Sequence, residues 1–264
     1  MIDLHCHMLL GIDDGPEALE VSLEMARIAV ADGITVTACT PHIYPGLYEN
    51  DAAGITAAVA TFRKALREAG IDLQLVVGAD VHLDPDMVNG LKQGRIPSLN
   101  GTRYFLFEPP HHVAPPRIED MVFSLVNAGY VPVLTHPERL SWIESHYPVF
   151  PKLVRAGCWM QLTAGSITGR FGPRAKYWSE RMLDEGLVHI VATDAHRADK
   201  RPPLLAEARD AVAARLGRQA ADDMVLTRPQ GILKNVSPET LPPLVQPVKP
   251  VGGGSFWQKL WRGS

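Results

Sequence analysis

Met1-Ile-Asp-Leu-His5-Cys-His7-Met-Leu-Leu-Gly-Ile-Asp-Asp14-Gly-Pro16 opens the chain and decides how the remaining residues are read. A short apolar run enters His5 and His7, and a Gly/Asp/Pro turn closes the stretch. Residues i and i+2 of a strand point to one face, so the two imidazoles can grip one metal ion together. Neutral imidazole is a ligand for zinc, manganese and iron. A lone His-x-His carries little by itself, because such pairs also stand on solvated strands. Its weight comes from the rest of the chain, where strand after strand ends in another candidate ligand.

Working outward, Glu17 to Ala31 reads as an amphipathic helix with apolar residues at i, i+3 and i+4, closed by Asp32-Gly33. Ile34 to Cys39 is a β-branched strand that runs into Thr40-Pro41-His42, and Pro41 stops it. Tyr44 to Asn50 is a loop. Asp51 reads as the N-cap of a helix reaching Ala69, with Gly70 ending it. The third strand is Leu73 to Asp80, followed by a short helical piece from Asp84 to Leu91. Arg103 to Glu108 is the fourth, followed by the loop Pro109 to Pro116 and a helix from Arg117 to Ala128. Val131 to His136 is the fifth, with Pro137-Glu-Arg139 beyond it and another helix leading to Gly157. Cys158 to Thr163 is the sixth, followed by a helix through Tyr177 and Met182. Leu187 to Thr193 is the seventh, ending in Asp194-Ala-His196-Arg197. Leu204 to Leu233 reads as two or three closing helices.

Strands alternating with helices imply parallel βαβ units. Seven of them predict an α/β barrel rather than an open sheet, and in barrels of this kind the site lies at the carboxyl ends of the strands. The expected division is a barrel over residues 1–237, a Pro/Gly-rich tether over 238–254 and an aromatic, basic foot over 255–264. If helical, the foot puts Phe256, Trp257, Leu260 and Trp261 on one face, with Lys259 and Arg262 nearby. Such a segment suits a membrane surface or a docking partner, or else folds back onto the barrel.

Bulk properties exclude several classes. The chain has 264 residues, 46% of them hydrophobic and 21% charged, enough for one large core. A net charge of −3 with no basic run argues against nucleic acid as partner. No apolar stretch approaches the length of a membrane span, and the amino terminus lacks the basic start of a signal peptide. The expected location is the cytoplasm, at most peripheral to the inner membrane face. Cys6, Cys39 and Cys158 form no CxxC pair. The residues six positions beyond them are Ile12, Pro45 and Ala164, so no C-x5-R phosphatase loop exists. The three cysteines read as small apolar fillers.

The strand ends collect His5, His7, Asp14, His42, Asp80, Glu108, His136, Asp194 and His196. Each alone has an ordinary explanation as a turn, cap or surface residue. Together they place half of the chain's 10 histidines on one rim with four carboxylates. Mixed His/carboxylate ligation suits manganese, iron or zinc and a reactive rather than purely structural site. Nine ligands are too many for one ion and enough for two or three.

In this order, His-x-His, Gly-Ile-Asp-Asp-Gly, Thr-Pro-His, Gly-Ala-Asp, the Glu108 strand end, Thr-His-Pro-Glu-Arg, Gln-Leu-Thr-Ala-Gly-Ser and Thr-Asp-Ala-His-Arg resemble the polymerase and histidinol phosphatase (PHP) superfamily. More narrowly, the chain resembles the bacterial PHP-type protein-tyrosine phosphatases of capsule and exopolysaccharide operons, over roughly residues 1 to 235. It departs from the pattern at Asp80, where a Glu is expected, and at Cys6, where a Ser is common. The resemblance implies a distorted (β/α)7 TIM-like barrel with two or three divalent ions, manganese first and iron or zinc as alternatives. It also implies phosphotyrosine on a tyrosine kinase of polysaccharide synthesis as substrate.

The chemistry expected of such a site is metal-assisted hydrolysis of a phosphomonoester. His136 belongs to the reacting centre, and Arg139 and Arg197 are the candidates to bind phosphate oxygens, because a guanidinium fork matches phosphate. The alternative for the two arginines is an ion pair with a ligand carboxylate. His111 and His112 read as solvated or substrate-facing rather than as ligands. Rival readings are a small-molecule phosphatase acting on histidinol phosphate or a sugar phosphate, a catalytically inactive metal-binding module, and a nuclease, the last disfavoured by the missing basic track.

Overall fold

The computed structural model describes residues 1–247. Expectations for residues 248–254 of the tether and for the foot at 255–264 lie outside the described residues. The chain begins β1 (Ile2–Cys6), α1 (Leu19–Ala31), β2 (Val36–Cys39), β3 (His42–Ile43) and α2 (Ala52–Glu68). It continues through β4 (Gln74–Val77), β5 (Asp80–His82), α3 (Met87–Lys92), β6 (Tyr104–Glu108), α4 (Ile118–Asn127) and β7 (Val131–Thr135). Two short helices, α5 (Ile143–His146) and α6 (Val149–Arg155), lead to β8 (Trp159–Thr163), α7 (Ala164–Ile167), α8 (Gly172–Asp184) and β9 (Ile190–Ala192). The closing helices are α9 (Ala206–Leu216), α10 (Arg218–Asp222) and α11 (Arg228–Leu233), with a π-helical turn at Asp223–Thr227 between the last two.

Two expected strands are each broken in two. The second becomes β2 and β3, interrupted at Thr40-Pro41, and the third becomes β4 and β5, interrupted at Gly78-Ala79. Pro41 has no N–H to give to a ladder. A side chain at Gly78 would stand 2.9 Å from a Leu99 methyl and 3.0 Å from the Thr40 methyl, so both would have to shift to admit it. The pairing continues across the break, through Gly78 N–H to Cys39 O and Asp80 N–H to Pro41 O. The nine short strands of the described residues are therefore seven passages, as the sequence predicts.

All ladders are parallel, in the orders β1-β2-β4 and β3-β5-β6-β7-β8-β9. Between β9 and β1 a bridge of Cys6 with Ala195 stands in place of a ladder. Asp194 N–H donates to His5 O at 2.8 Å and His7 N–H to Ala195 O at 2.8 Å, which brings the first and last passages side by side. This is the distorted barrel arrangement.

Ile2, Leu4, Ala38, Val76, Tyr104, Leu106, Val133, Trp159 and Ile190 fill its inside, with Leu99 and Ile232 packed on them. The outer core lies between strands and helices. In α2 it takes Ile55, Val59, Phe62 and Leu66, one helical face, and the Asp51 carboxylate caps the helix by accepting the Gly54 N–H at 2.8 Å.

Within the described part of the expected tether, residues 241–245 meet the barrel. Buried Arg228 donates to the carbonyls of Pro242, Pro243 and His189, and Leu241 lies over Gly231. Gly186, at φ +66°, has the Val245 carbonyl where a side chain would begin.

Candidate metal centre

Strand periodicity alone would not put both Leu4 and His5 inside the barrel, since neighbours in a strand point to opposite faces. The register of β1 against β2 slips by one residue between Asp3 and Cys6, a β-bulge. Leu4 thus packs in the inner cluster while His5, one residue on, reaches Gln161 and Asp80 across the barrel. His5 and His7 then share a face as expected, with their Nε2 atoms 3.0 Å apart.

The other ligand candidates arrive from the strand ends. His42 and Asp80 are register partners in β3 and β5, and Glu108 closes β6. His136 and Asp194 follow β7 and β9 in left-handed backbone, at φ 34° and 51°. Non-glycine residues in that region are held there at a cost of about 1–3 kcal/mol each, a strain that clusters at functional sites.

All nine sequence-predicted ligands come together. Their donor atoms form overlapping groups in which every atom lies within 4.8 Å of the others: His7, Asp14, His42 and His196; His5, His7 and Asp80; His5, His136 and Asp194; His42, Asp80 and Glu108. The hub is Asp80 Oδ2, which is buried and accepts no hydrogen bond. Around it stand His5 Nε2 at 3.5 Å, His42 Nδ1 at 3.6 Å and His136 Nε2 at 3.9 Å. Asp194 Oδ1 is the second meeting point, 3.4 Å from His5 Nε2, 3.5 Å from His7 Nε2 and 3.6 Å from His196 Nδ1.

A fifth group contains a residue that sequence reasoning places outside the ligand set. His111 Nε2 is 2.9 Å from Glu108 Oε1 and joins Glu108 and His136. Its position three residues past a strand end is the one signal that could have found it. His112 is exposed.

Arg197 does not join the cluster. Its side chain is exposed and makes no hydrogen bond or ion pair with a site residue among the described residues. The loop after Asp194 turns back, with His196 and Arg197 N–H both donating to Arg201 O, and this carries Arg201 inward instead. Arg201 Nη2 lies 2.7 Å from Asp194 Oδ2, and Arg139 Nη1 contacts the same oxygen.

A further layer orients the imidazoles. Asp13 Oδ2 is 2.7 Å from His7 Nδ1, and Gln161 Oε1 is 2.9 Å from His5 Nδ1. Each leaves the other ring nitrogen facing the cluster, the usual way a ligand histidine is held. Asp13 belongs to the Gly-Ile-Asp-Asp-Gly motif and Gln161 to Gln-Leu-Thr-Ala-Gly-Ser, but nothing in the sequence says which imidazole they serve.

Electrostatics favour ligand-ready states at most positions. Burial holds the His7 and His136 imidazoles well below their usual range, reinforced by His196 and His42 around His7 and by Arg139 beside His136. For Asp14 burial is outweighed by the hydrogen bond and charge of His196, and its pKa falls to about 2. Burial of Asp194 is outweighed by Arg201, His5 and Arg139, which keep it ionised. His5 and His42 are the exceptions: Asp80 and Asp194 overcome the burial of His5 and raise it to about 9, and Asp80 and Glu108 overcome the burial of His42 and raise it as well. Without a metal the cluster holds a proton where it favours positive charge. An unpaired buried carboxylate oxygen ringed by imidazole nitrogens is a donor set that divalent manganese, iron or zinc fits.

Comparison with known proteins agrees with this picture. The model of the family described as "Capsular polysaccharide synthesis, CpsB/CapC" matches residues 1–234, and the chain belongs to that family. Tyrosine-protein phosphatase YwqE of Bacillus subtilis is 37% identical over 201 residues, 76% of this chain and 79% of the relative. A solved structure from work on YwqE of Bacillus subtilis and CpsB of Streptococcus pneumoniae, described as unique metal-dependent tyrosine phosphatases, superposes with a TM-score of 0.88 at 34% identity. It covers 94% of this chain and 100% of that one. A histidinol phosphate phosphatase of Lactococcus lactis shares the fold at TM-score 0.54 and 11% identity, over 84% of this chain and 94% of that one.

Proposed function

We propose that the chain is a metal-dependent protein-tyrosine phosphatase whose substrate is phosphotyrosine on a tyrosine kinase of capsule or exopolysaccharide synthesis. The observation that carries this reading is Asp80 Oδ2, buried, without a hydrogen bond and ringed by His5, His42 and His136 within a mixed His/carboxylate cluster. His5, His7, Asp14, His42, Asp80, Glu108, His136, Asp194 and His196 would hold two or three divalent ions, manganese first, with His111 a tenth donor beside Glu108. When bound, such ions supply an activated water and offset the charge of the phosphoryl oxygens.

The chain's own groups do the rest. Asp13 and Gln161 fix the rings of His7 and His5. Arg139 and Arg201, on the rim at Asp194, bring guanidinium donors to the phosphate oxygens. Buried Arg201 Nε has no partner among the described residues and remains a donor in reserve. A tyrosine leaving group has a pKa of about 10, so departure needs little help from a general acid.

Among the described residues no helix is long and apolar enough to cross a membrane. The proposed setting is the cytoplasm beside the kinase, with residues 255–264 as a membrane or partner foot.

The test is hydrolysis of a phosphotyrosyl peptide by the purified chain with added manganese and then with chelator, beside histidinol phosphate and a sugar phosphate. Release of phosphate from the peptide that manganese supports and chelator abolishes is the expected result. Release only from the small molecules would move the function to metabolism.

A further inference from the structure

The Gln161-Leu-Thr-Ala-Gly165-Ser166 stretch is only partly used by the metal centre. Gln161 serves His5 and Thr163 N–H donates to Glu138 Oε1, which leaves Gly165 to be explained. Gly165 lies on α7, and a side chain there would meet the Phe171 ring at 2.9, 3.2 and 3.5 Å. Phe171 N–H donates to Gly165 O at 3.3 Å, and the turn between them is shaped by Gly169 at φ +89°. The glycine thus leaves room for the phenyl ring against α7.

Two guanidinium groups sit against this ring. The Arg139 guanidinium carbon is 4.8 Å from the ring centroid and that of Arg201 is 5.7 Å. The same two arginines converge on Asp194 Oδ2. They come from different passages of the barrel, 62 positions apart in the chain. Neither hydrogen-bonds to the other, so the ring and the shared carboxylate are what hold them together.

We infer that Phe171 is a positioning residue that organises Arg139 and Arg201 into one phosphate clamp, with Gly165 as the space that admits it. The inference rests on the phosphatase reading and deepens it. Asp194 alone leaves the Arg139 guanidinium free to swing about its contact with one oxygen and holds Arg201 through Nη2 only, at Oδ2 and the backbone carbonyl. The aromatic face restricts that swing by attraction to the cations and keeps the donors turned to the rim. The contacts that tie the ring to the site run through the two guanidinium groups, so its effect passes through the arginines.

The experiment compares wild type with Phe171→Leu, Phe171→Tyr and Gly165→Ala, all loaded with manganese. It reads KM for a phosphotyrosyl peptide, the inhibition constant of inorganic phosphate, bound metal and the melting temperature. Phe171→Leu keeps the apolar volume and removes the π face; both constants should rise about five- to tenfold, with metal content and melting temperature retained. Phe171→Tyr should restore both constants to within about twofold of wild type, and Gly165→Ala, which displaces the ring, should follow Phe171→Leu. Unchanged constants in Phe171→Leu overturn the clamp while wild-type turnover keeps the phosphatase reading. Constants that rise only in step with lost metal or lowered melting temperature also overturn it, because the ring is then plain packing. Absence of wild-type hydrolysis overturns the phosphatase reading and the clamp with it.

Discussion

Asp13 Oδ2 lies 2.7 Å from His7 Nδ1 and accepts the backbone N–H of His42 at 3.2 Å, while its other oxygen accepts Gly15 N–H at 2.9 Å. One carboxylate thus ties the first turn, the first strand and the third into a single unit. Asp13→Asn keeps the shape and removes the charge that holds the proton on His7 Nδ1. The expected outcome is a metal affinity about 10–100-fold weaker with the fold intact. Metal titration beside circular dichroism checks it; unaltered affinity would remove Asp13 from the site.

Arg139 and Arg197 separate the two readings of the arginines. Arg139→Lys replaces a planar fork with a point charge and leaves Asp194 less well paired. It should lower kcat/KM by about tenfold or more, a loss of at least about 1.4 kcal/mol. Arg197→Ala alters an exposed side chain and should leave kcat/KM within about twofold. Steady-state kinetics on a phosphotyrosyl peptide decide both.

Metal removal should be legible in stability as well as in turnover. A ligand that binds only the native state adds RT ln(1 + [L]/Kd), about 2.7 kcal/mol at a hundredfold excess over Kd. Binding also relieves the unpaired Asp80 oxygen. Manganese should therefore raise the melting temperature of the chelated chain, and Asp80→Ala should abolish most of that rise. Equal melting curves with and without manganese would count against the cluster as a metal centre.

His189 is buried outside the site, stacked on Trp159, with Nδ1 accepting the Met160 N–H at 3.0 Å. Burial and then the nearby Arg228 charge lower its pKa to about 3. The unfolded chain protonates this residue near pH 6.5 and the native one does not until about pH 3. Between those values the unfolded state binds more protons, so stability falls as the pH falls. The contribution is complete above pH 6.5 and costs roughly 2–3 kcal/mol at pH 4.5. His189→Asn retains an acceptor and cannot titrate; its melting temperature should drop less between pH 7.5 and 4.5 than that of wild type. Parallel curves would show that His189 is not the group responsible.

Arg228 fastens the segment at 242–243 to the barrel through two carbonyls and holds His189 O with a third bond. Arg228→Met leaves these acceptors unsatisfied and should cost about 3 kcal/mol. Denaturant unfolding measures the loss. Faster proteolytic cutting near residues 241–247, against wild type, would show that the strap has been released.

Much of the site was legible because donor type and strand period are local properties. The apolar-run-then-His, Asp or Glu pattern at six of the seven expected strand ends, with Asp14 in the first turn, placed nine candidates on one rim, and the geometry brings all nine together. Arg201 was not legible. It lies seven residues beyond Asp194, and only the turn through His196 and Arg197 brings it back while Arg197 points to solvent. Gln161 stands in a recognisable motif but has no visible task there, because its partner His5 is 156 residues away. His111 sits in a proline-rich loop where no periodicity applies.

The sequence by itself determined the alternation of strands and helices, the parallel fold and the identity of the donors, since each depends on side-chain period and chemistry within a few residues. The tertiary structure decided which oxygen faces which nitrogen. The one-residue bulge in β1, the meeting of Cys6 with Ala195 and the breaks at Pro41 and Gly78 set those contacts. A shift of one residue turns a side chain to the other face, and a contact of about 3 Å between distant segments depends on how the whole ring of strands meets.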